Sequence, residues 1–194
     1  MIKEEKRKYK LTFTNRILGS APKNKEIYSE YIASKTENTN NAEDELSMIE
    51  DSTDGRKITG FHTDVDGVYL LDYQIKGNLK ENANILKDAL VKKNLRAKIG
   101  NFVHIEPRHF WLADKPAGIL ERPLRAQTAQ GPRTSLAASE YVEAGVSIEV
   151  TIILIPNKEV TWEVIEDLLN HGKRNGISQW RSAYYGTFDF ERIE

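Results

Sequence analysis

Ser147-Ile148-Glu149-Val150-Thr151-Ile152-Ile153-Leu154-Ile155 is the stretch on which the fold turns. Its β-branched residues suit a pleated strand, and the near-continuous apolar run from Val150 suits a central strand covered on both faces. Downstream, Val160 to His171 predicts a closing helix. Thr161 is a fitting N-cap, Glu163 stands just inside, Trp162, Ile165 and Leu169 share one stripe, and Gly172 ends it. Tyr185 to Ile193 then alternates through Phe188 and Phe190 as a last strand.

Upstream, Tyr9, Leu11 and Phe13 alternate with Lys10 and Thr12, which predicts a first strand. After Gly19-Ser20-Ala21-Pro22, the spacing of Ile27, Tyr31 and Ile32 predicts a short helix over Lys23–Lys35. Residues 36–58 read as an acidic insertion or mobile loop, with few apolar residues to bury. Asp64-Val65-Asp66-Gly67 suits a hairpin turn between Gly60–His62 and Val68–Leu71. Leu79, Ala83, Leu86 and Leu90 predict an amphipathic helix over Gln74–Leu95, with no good break before Gly100. Asn101–Ile105, Phe110–Leu112 and Leu120–Arg125 read as short strands. Strand, helix, strand, strand, helix, strand is an α+β order: a ferredoxin-like/RRM-like antiparallel sheet with helices on one face and inserted loops, residues 1–194 forming one domain.

The composition is that of an ordinary folded protein, 39% apolar and 29% charged. The net charge of −1 conceals an asymmetry. Residues 37–72 carry ten carboxylates against Arg56 and Lys57, whereas residues 73–133 carry twelve Lys or Arg against five carboxylates. A local basic field of this kind is what attracts a polyanion. Cysteine is absent, which excludes disulfides, thiolate zinc sites and a cysteine nucleophile. The charged start MIKEEKRKYK has no apolar run behind it, and Val150–Ile155 is too short to span a bilayer, so a cytoplasmic location is expected. His62, His104, His109 and His171 are scattered, and Asp64-Val65-Asp66-Gly67 lacks the further oxygen ligands of a calcium loop. No metal, no cofactor and no catalytic residue is expected, and no Walker A or dinucleotide fingerprint is present.

Three segments carry chemistry. Tyr69 to Lys80 runs from a strand into a helix with Lys76 and Lys80 one turn apart and Gly77 between them. That pattern offers free backbone N–H groups, cations and close approach to a phosphate chain. The run from Gly172 to Phe188 places Trp180, Arg181, Tyr184 and Tyr185 in one loop, where rings can stack on bases and a guanidinium can meet phosphate. Between them stand Leu120-Glu121-Arg122-Pro123-Leu124-Arg125, Gly131-Pro132-Arg133 and Glu140-Tyr141-Val142-Glu143-Ala144-Gly145.

These segments keep the order of motifs in the RAMP superfamily, whose members supply RNA-gripping subunits of CRISPR effector complexes. Ile75-Lys76-Gly77-Asn78-Leu79-Lys80 resembles the second half of that family's lysine-glycine motif, and Gly176, Arg181, Tyr185 and Gly186 resemble its glycine-rich closing loop. Ser178 and Tyr184 stand where the family's pattern has glycine. The chain is also similar to a prophage-encoded group. The resemblance implies a ferredoxin-like domain that holds single-stranded RNA, or DNA, without catalysis and alongside other protein subunits. Its expected contacts are Lys76, Gly77 and Lys80, then Arg122, Arg125 and Arg133, then Trp180, Arg181 and Tyr184. Two other readings remain open: a phage-derived structural or protein-interaction module, and a metal-independent endoribonuclease using His104 or His109 near Arg108.

Overall fold

The computed structural model describes residues 3–23, 58–128 and 131–194. The helix read over 23–35 and the acidic segment 36–58 therefore lie outside the described residues, apart from Lys23 and Ile58. Along the chain the strands are β1 (Glu5–Phe13), β2 (Ile17–Leu18), β3 (Ala21–Pro22), β4 (Ile58–Gly60), β5 (His62–Asp64), β6 (Gly67–Leu71), β7 (Val103–Glu106), β8 (His109–Ala113), β9 (Gly118–Thr128), β10 (Gly131–Val142), β11 (Ser147–Leu154) and β12 (Phe188–Arg192). The described helices are α1 (Asp72–Leu86), α2 (Leu95–Phe102) and α3 (Trp162–Asn175). They form two compact units, one of Met1–Ile17, Tyr69–Leu112 and Glu143–Glu194, the other of Leu18–Val68 and Ala113–Val142.

The first unit is built on a four-stranded sheet in the order β12-β1-β11-β7, antiparallel at every step. With α1 before β7 and α3 before β12, this is the split βαβ arrangement of a ferredoxin-like α+β fold. The stretch 147–155 lies centrally, as its residue types require. Val150 pairs with Tyr9, Ile148 with Leu11, and Ile152 with Ile105 on the other side. Tyr9, Leu11, Phe13, Ile148, Val150 and Ile152 are buried, and α1 and α3 supply Ile75, Leu79, Ile165 and Leu169 to the same core. The opposite sheet face carries exposed ion pairs such as Lys8–Glu149 at 2.6 Å and Lys10–Glu191 at 3.6 Å. Exposed pairs of this kind add little stability, so the unit rests on its apolar face.

Where α1 meets α3 the contact is polar. Gly172 lies inside α3, not at its end, and a Cβ built there would stand 2.4 Å from Asn78 Oδ1 and 2.8 Å from Asn82 Nδ2. Glycine at this position lets the helices approach closely enough for buried Asn78 and Asn82 to reach across. Asn78 Nδ2 donates to the Gly176 carbonyl at 2.6 Å, Asn82 Nδ2 donates to the Asn78 carbonyl at 2.7 Å, and Asn82 Oδ1 lies 2.7 Å from His171 Nδ1.

The single helix expected over Gln74–Leu95 is two helices. α1 starts two residues earlier and stops at Leu86; Val91 (φ 52°) and Asn94 (φ 55°) take left-handed backbone, and α2 restarts at Leu95. Fully buried Leu95 and Ile99 hold α2 in its own direction, so tertiary burial overrides the continuous spacing of leucines. Asn101, read as the start of a strand, lies in α2, and the last strand begins at Phe188 instead of Tyr185.

The second unit is mostly strand. β9 and β10 form a long hairpin running from Gly131↔Thr128 to Tyr141↔Gly118. β4 joins β10 in parallel and β3 in antiparallel pairing. Ser139, fully buried, donates to the Gly19 carbonyl at 2.7 Å. Glu140 meets Lys23 at 3.4 Å and accepts from the Phe61 N–H at 3.0 Å. The turn expected at Asp64–Gly67 is present between β5 and β6, with Gly67 at φ +124° and the Asp66 N–H donating to Asp64 Oδ1. Among the described residues no helix is long and apolar enough to cross a membrane.

Gly172→Ala inserts a methyl into the closest point of the α1–α3 contact. It is expected to lower unfolding free energy by about 1–3 kcal/mol, as overpacking does. A chemical denaturation midpoint unchanged from the parent would contradict the contact.

Candidate nucleic-acid interface

The start of α1 differs from its sequence reading. The helix opens at Asp72, an acidic first turn, so Lys76 and Lys80 fall in the second and third turns. The Leu71 N–H donates to Gln74 Oε1 at 2.8 Å and the Asp72 N–H donates to the Arg108 carbonyl at 2.9 Å. These two amides are engaged and do not face an anion.

With Ile75, Leu79 and Ala83 turned into the core, Tyr73, Lys76, Gly77, Lys80 and Asn84 face outward. In α2 the burial of Leu95 and Ile99 turns Arg96 toward the same side. The result is two adjoining depressions of about 440 and 460 Å³. One is lined by Tyr73, Lys76, Gly77, Lys80, Glu81, Asn84, Ile85 and Arg96; the other shares Lys80, Asn84 and Arg96 and adds Lys87, Asn94 and, from α2, Leu95, Ala97, Gly100 and Asn101. Lys76, Lys80, Lys87 and Arg96 thus face one carboxylate, Glu81. A Cβ on Gly77 would meet nothing within 4 Å, so the groove floor is open there. Burial, followed by the like charge of Lys80, pushes the Lys76 ammonium below the usual lysine range, with Asp72 opposing. An anion in the groove would relieve both causes.

The loop after α3 is held beside α1. Asn78 anchors its first carbonyl, Gly176 (φ +76°), and the loop closes where the Ile177 N–H donates to the Gly186 carbonyl at 2.9 Å. A Cβ on Gly186 (φ +68°) would strike the Ile177 carbonyl. Ser178 (φ 77°) and Tyr184 (φ 64°) adopt the left-handed backbone that glycine takes most readily, as does Trp180 (φ 56°). Arg181 is ion-paired with Glu81 of the groove wall. Trp180 is half-buried, edge-on to Tyr185 with ring centroids 6.2 Å apart, while Tyr184 is 69% exposed.

The first and third groups of expected contacts therefore come together: Lys76, Gly77 and Lys80 line the groove, and Glu81 ties Arg181 to its wall. Arg122, Arg125 and Arg133 belong to the second unit, on the β9–β10 hairpin, where Arg122 pairs with Ala137, Arg125 with Thr134 and Arg133 with Ala126. Sequence reasoning missed Arg96 and Tyr73. The i, i+4 burial of Leu95 and Ile99 was the available signal for Arg96, and a continuous helix through Leu95 hid it. Of the two histidines weighed for catalysis, His104 is exposed on β7 and His109 stacks on Tyr69 at 4.4 Å.

The fold and groove place this chain among ferredoxin-like α+β proteins. It is similar to a chain in the cryo-EM structure of the Type III-B Cmr-beta bound to cognate target RNA, with a TM-score of 0.52 and 14% identity, covering 99% of this chain and 61% of that one. That likeness is one of fold, and the chain spans 61% of the length of its neighbour. No protein-family model and no curated protein matches the sequence.

A depressed Lys76 means its charge disfavours the folded state at pH values where both states are protonated. The penalty is relieved as pH rises through the lowered pKa toward the ordinary one. In an NMR titration of lysine side chains, Lys76 is expected to lose its proton below the usual lysine range and to move upward in Lys80→Met. An unmoved Lys76 would show that the two ammonium groups do not interact.

Proposed function

We propose that this chain binds single-stranded nucleic acid, RNA in preference to DNA, without catalysis and as a RAMP-like subunit among other protein subunits. The observation that carries the reading is the groove between α1 and α2, where Lys76, Lys80, Arg96 and an exposed Tyr73 line the open surface at Gly77 and Lys87 lines the adjoining depression. Ammonium and guanidinium groups neutralise phosphates without regard to sequence, and aromatic faces stack on unpaired bases. Tyr184, exposed on the tethered loop, supplies a second ring; Arg181 exchanges Glu81 for phosphate or holds the loop through Glu81. For the second unit, Arg122, Arg125 and Arg133 of the hairpin are the proposed phosphate contacts. The preference for RNA draws support from the fold likeness to a chain of a complex bound to target RNA and from the family resemblance.

One observation favours the protein-interaction reading for the second unit. Leu136 is 72% exposed opposite Pro123, and Ile119, on the same hairpin, is 54% exposed. This supports subunit contacts by the hairpin alongside nucleic-acid binding by the groove.

Binding of oligouridylate, followed by fluorescence anisotropy, should weaken with salt at a logarithmic slope of about −0.7 per phosphate contact, roughly −3 for the four groove cations. Lys76→Ala with Lys80→Ala should flatten the slope and leave folding intact. A flat response in the parent protein would overturn the reading. Gly77→Ala separates stability from binding: alanine should raise helix stability by roughly 0.5–1 kcal/mol, yet weaken binding by crowding the groove floor. Gly77→Ala that binds as tightly as the parent would show that no ligand approaches there.

A further inference from the structure

Strand β8 exposes an aromatic face for which the groove alone gives no use. Its residues alternate: Phe110 and Leu112 are buried, while Trp111 is 42% exposed and His109 half-buried on the other side. Tyr69 of β6, itself 1% exposed, forms the floor of this face. The His109 ring lies against Tyr69 at 4.4 Å and 29°, and Trp111 leans on both, 6.1 Å from Tyr69 and 5.6 Å from His109. The ladder fixes Trp111 on a rigid strand while leaving part of its indole open to solvent. Ordinary packing would bury that ring.

Position makes the face more than a stray exposed tryptophan. Arg108, exposed at the head of β8, accepts the Asp72 N–H through its carbonyl, which sets the start of β8 against the first turn of α1. Tyr73, 49% exposed, follows Asp72 and lines the groove with Lys76 and Lys80. The Asp72–Arg108 backbone bond thus joins the strand that carries His109 and Trp111 to the end of α1 that carries Tyr73, with Lys76 and Lys80 further along the helix, all within the first unit. We propose that the groove is half of a longer single-strand path, and that Trp111 is a second base-stacking station lying beyond the N-terminus of α1. This rests on the nucleic-acid reading of the groove and adds the length of strand it engages. The ligand class is an unpaired oligonucleotide, because a duplex would not present a free base face to the indole.

Oligouridylates of about 4 and about 12 nucleotides lie at the short end and well inside the range of site sizes of single-strand-binding folds. Trp111→Leu should weaken binding of the longer strand about ten-fold, within the range for loss of one stacked base, and leave the shorter strand unaffected. Trp111→Phe, which keeps a ring, should retain most of the affinity. The longer strand should quench tryptophan emission more than the shorter one, and that excess should vanish in Trp111→Phe, a readout that stands even if the leucine variant folds poorly. If Trp111→Leu folds and binds the longer strand like the parent while Lys76→Ala with Lys80→Ala binds weakly, the extended path is wrong and the groove stands. If neither variant alters binding, the groove reading fails with it. Unchanged binding together with a drop in oligomer size for Trp111→Leu in sedimentation would assign the face to protein contact and overturn the proposal.

Discussion

The bond from the Asn78 side-chain amide to the Gly176 carbonyl, 2.6 Å long and buried, joins α1 to the loop after α3 in the first unit. A buried amide left without a partner costs about 1–3 kcal/mol, so the loop after α3 is held wherever Asn78 stands. Asn82 and His171 complete the network, and Gly172 allows the helices to come close enough to form it. Asn78 lies two residues from each of Lys76 and Lys80. One helical turn therefore presents cations outward and anchors an aromatic loop inward, which fixes the distance between the groove and the rings beside it.

The loop itself bears the cost of that arrangement. Left-handed backbone disfavours a residue with a Cβ by roughly 1–2 kcal/mol, and Ser178, Trp180 and Tyr184 all adopt it. The closure between Ile177 and Gly186, too tight for a Cβ, holds the segment in this shape. Strain retained by surrounding structure is characteristic of binding segments. At Tyr184 it brings an aromatic ring to the surface at a position where glycine would offer only backbone.

Much of the fold was legible because periodicity and burial agree. SIEVTIILI reads as a central strand from its β-branched residues, and it lies between β1 and β7 with Ile148, Val150 and Ile152 in the core, while the other face carries exposed Glu149 instead of the full cover that its apolar run suggests. The stripe of Trp162, Ile165 and Leu169 reads as the helix that covers it. Legibility failed where tertiary contacts decide. Leu79, Ala83, Leu86 and Leu90 keep a helical spacing, yet α1 stops at Leu86, and the burial of Leu95 and Ile99 in α2 turns Arg96 into the groove. That Lys76, Gly77 and Lys80 share the outer side of α1 was visible from local spacing. The Glu81 partner of Arg181 and the Gly176 partner of Asn78 were not legible, because they stand 100 and 98 residues away in sequence. The parallel pairing of β4 with β10 likewise depends on residues far apart in sequence.

Ultraviolet cross-linking of the full chain to a single-stranded RNA, with the adducts located by mass spectrometry, tests the central claim most directly. Adducts are expected on peptides spanning 73–101 and 177–187, falling away together as salt is raised. Adducts confined to the β9–β10 hairpin, or none above those given by a duplex of the same sequence, would contradict it.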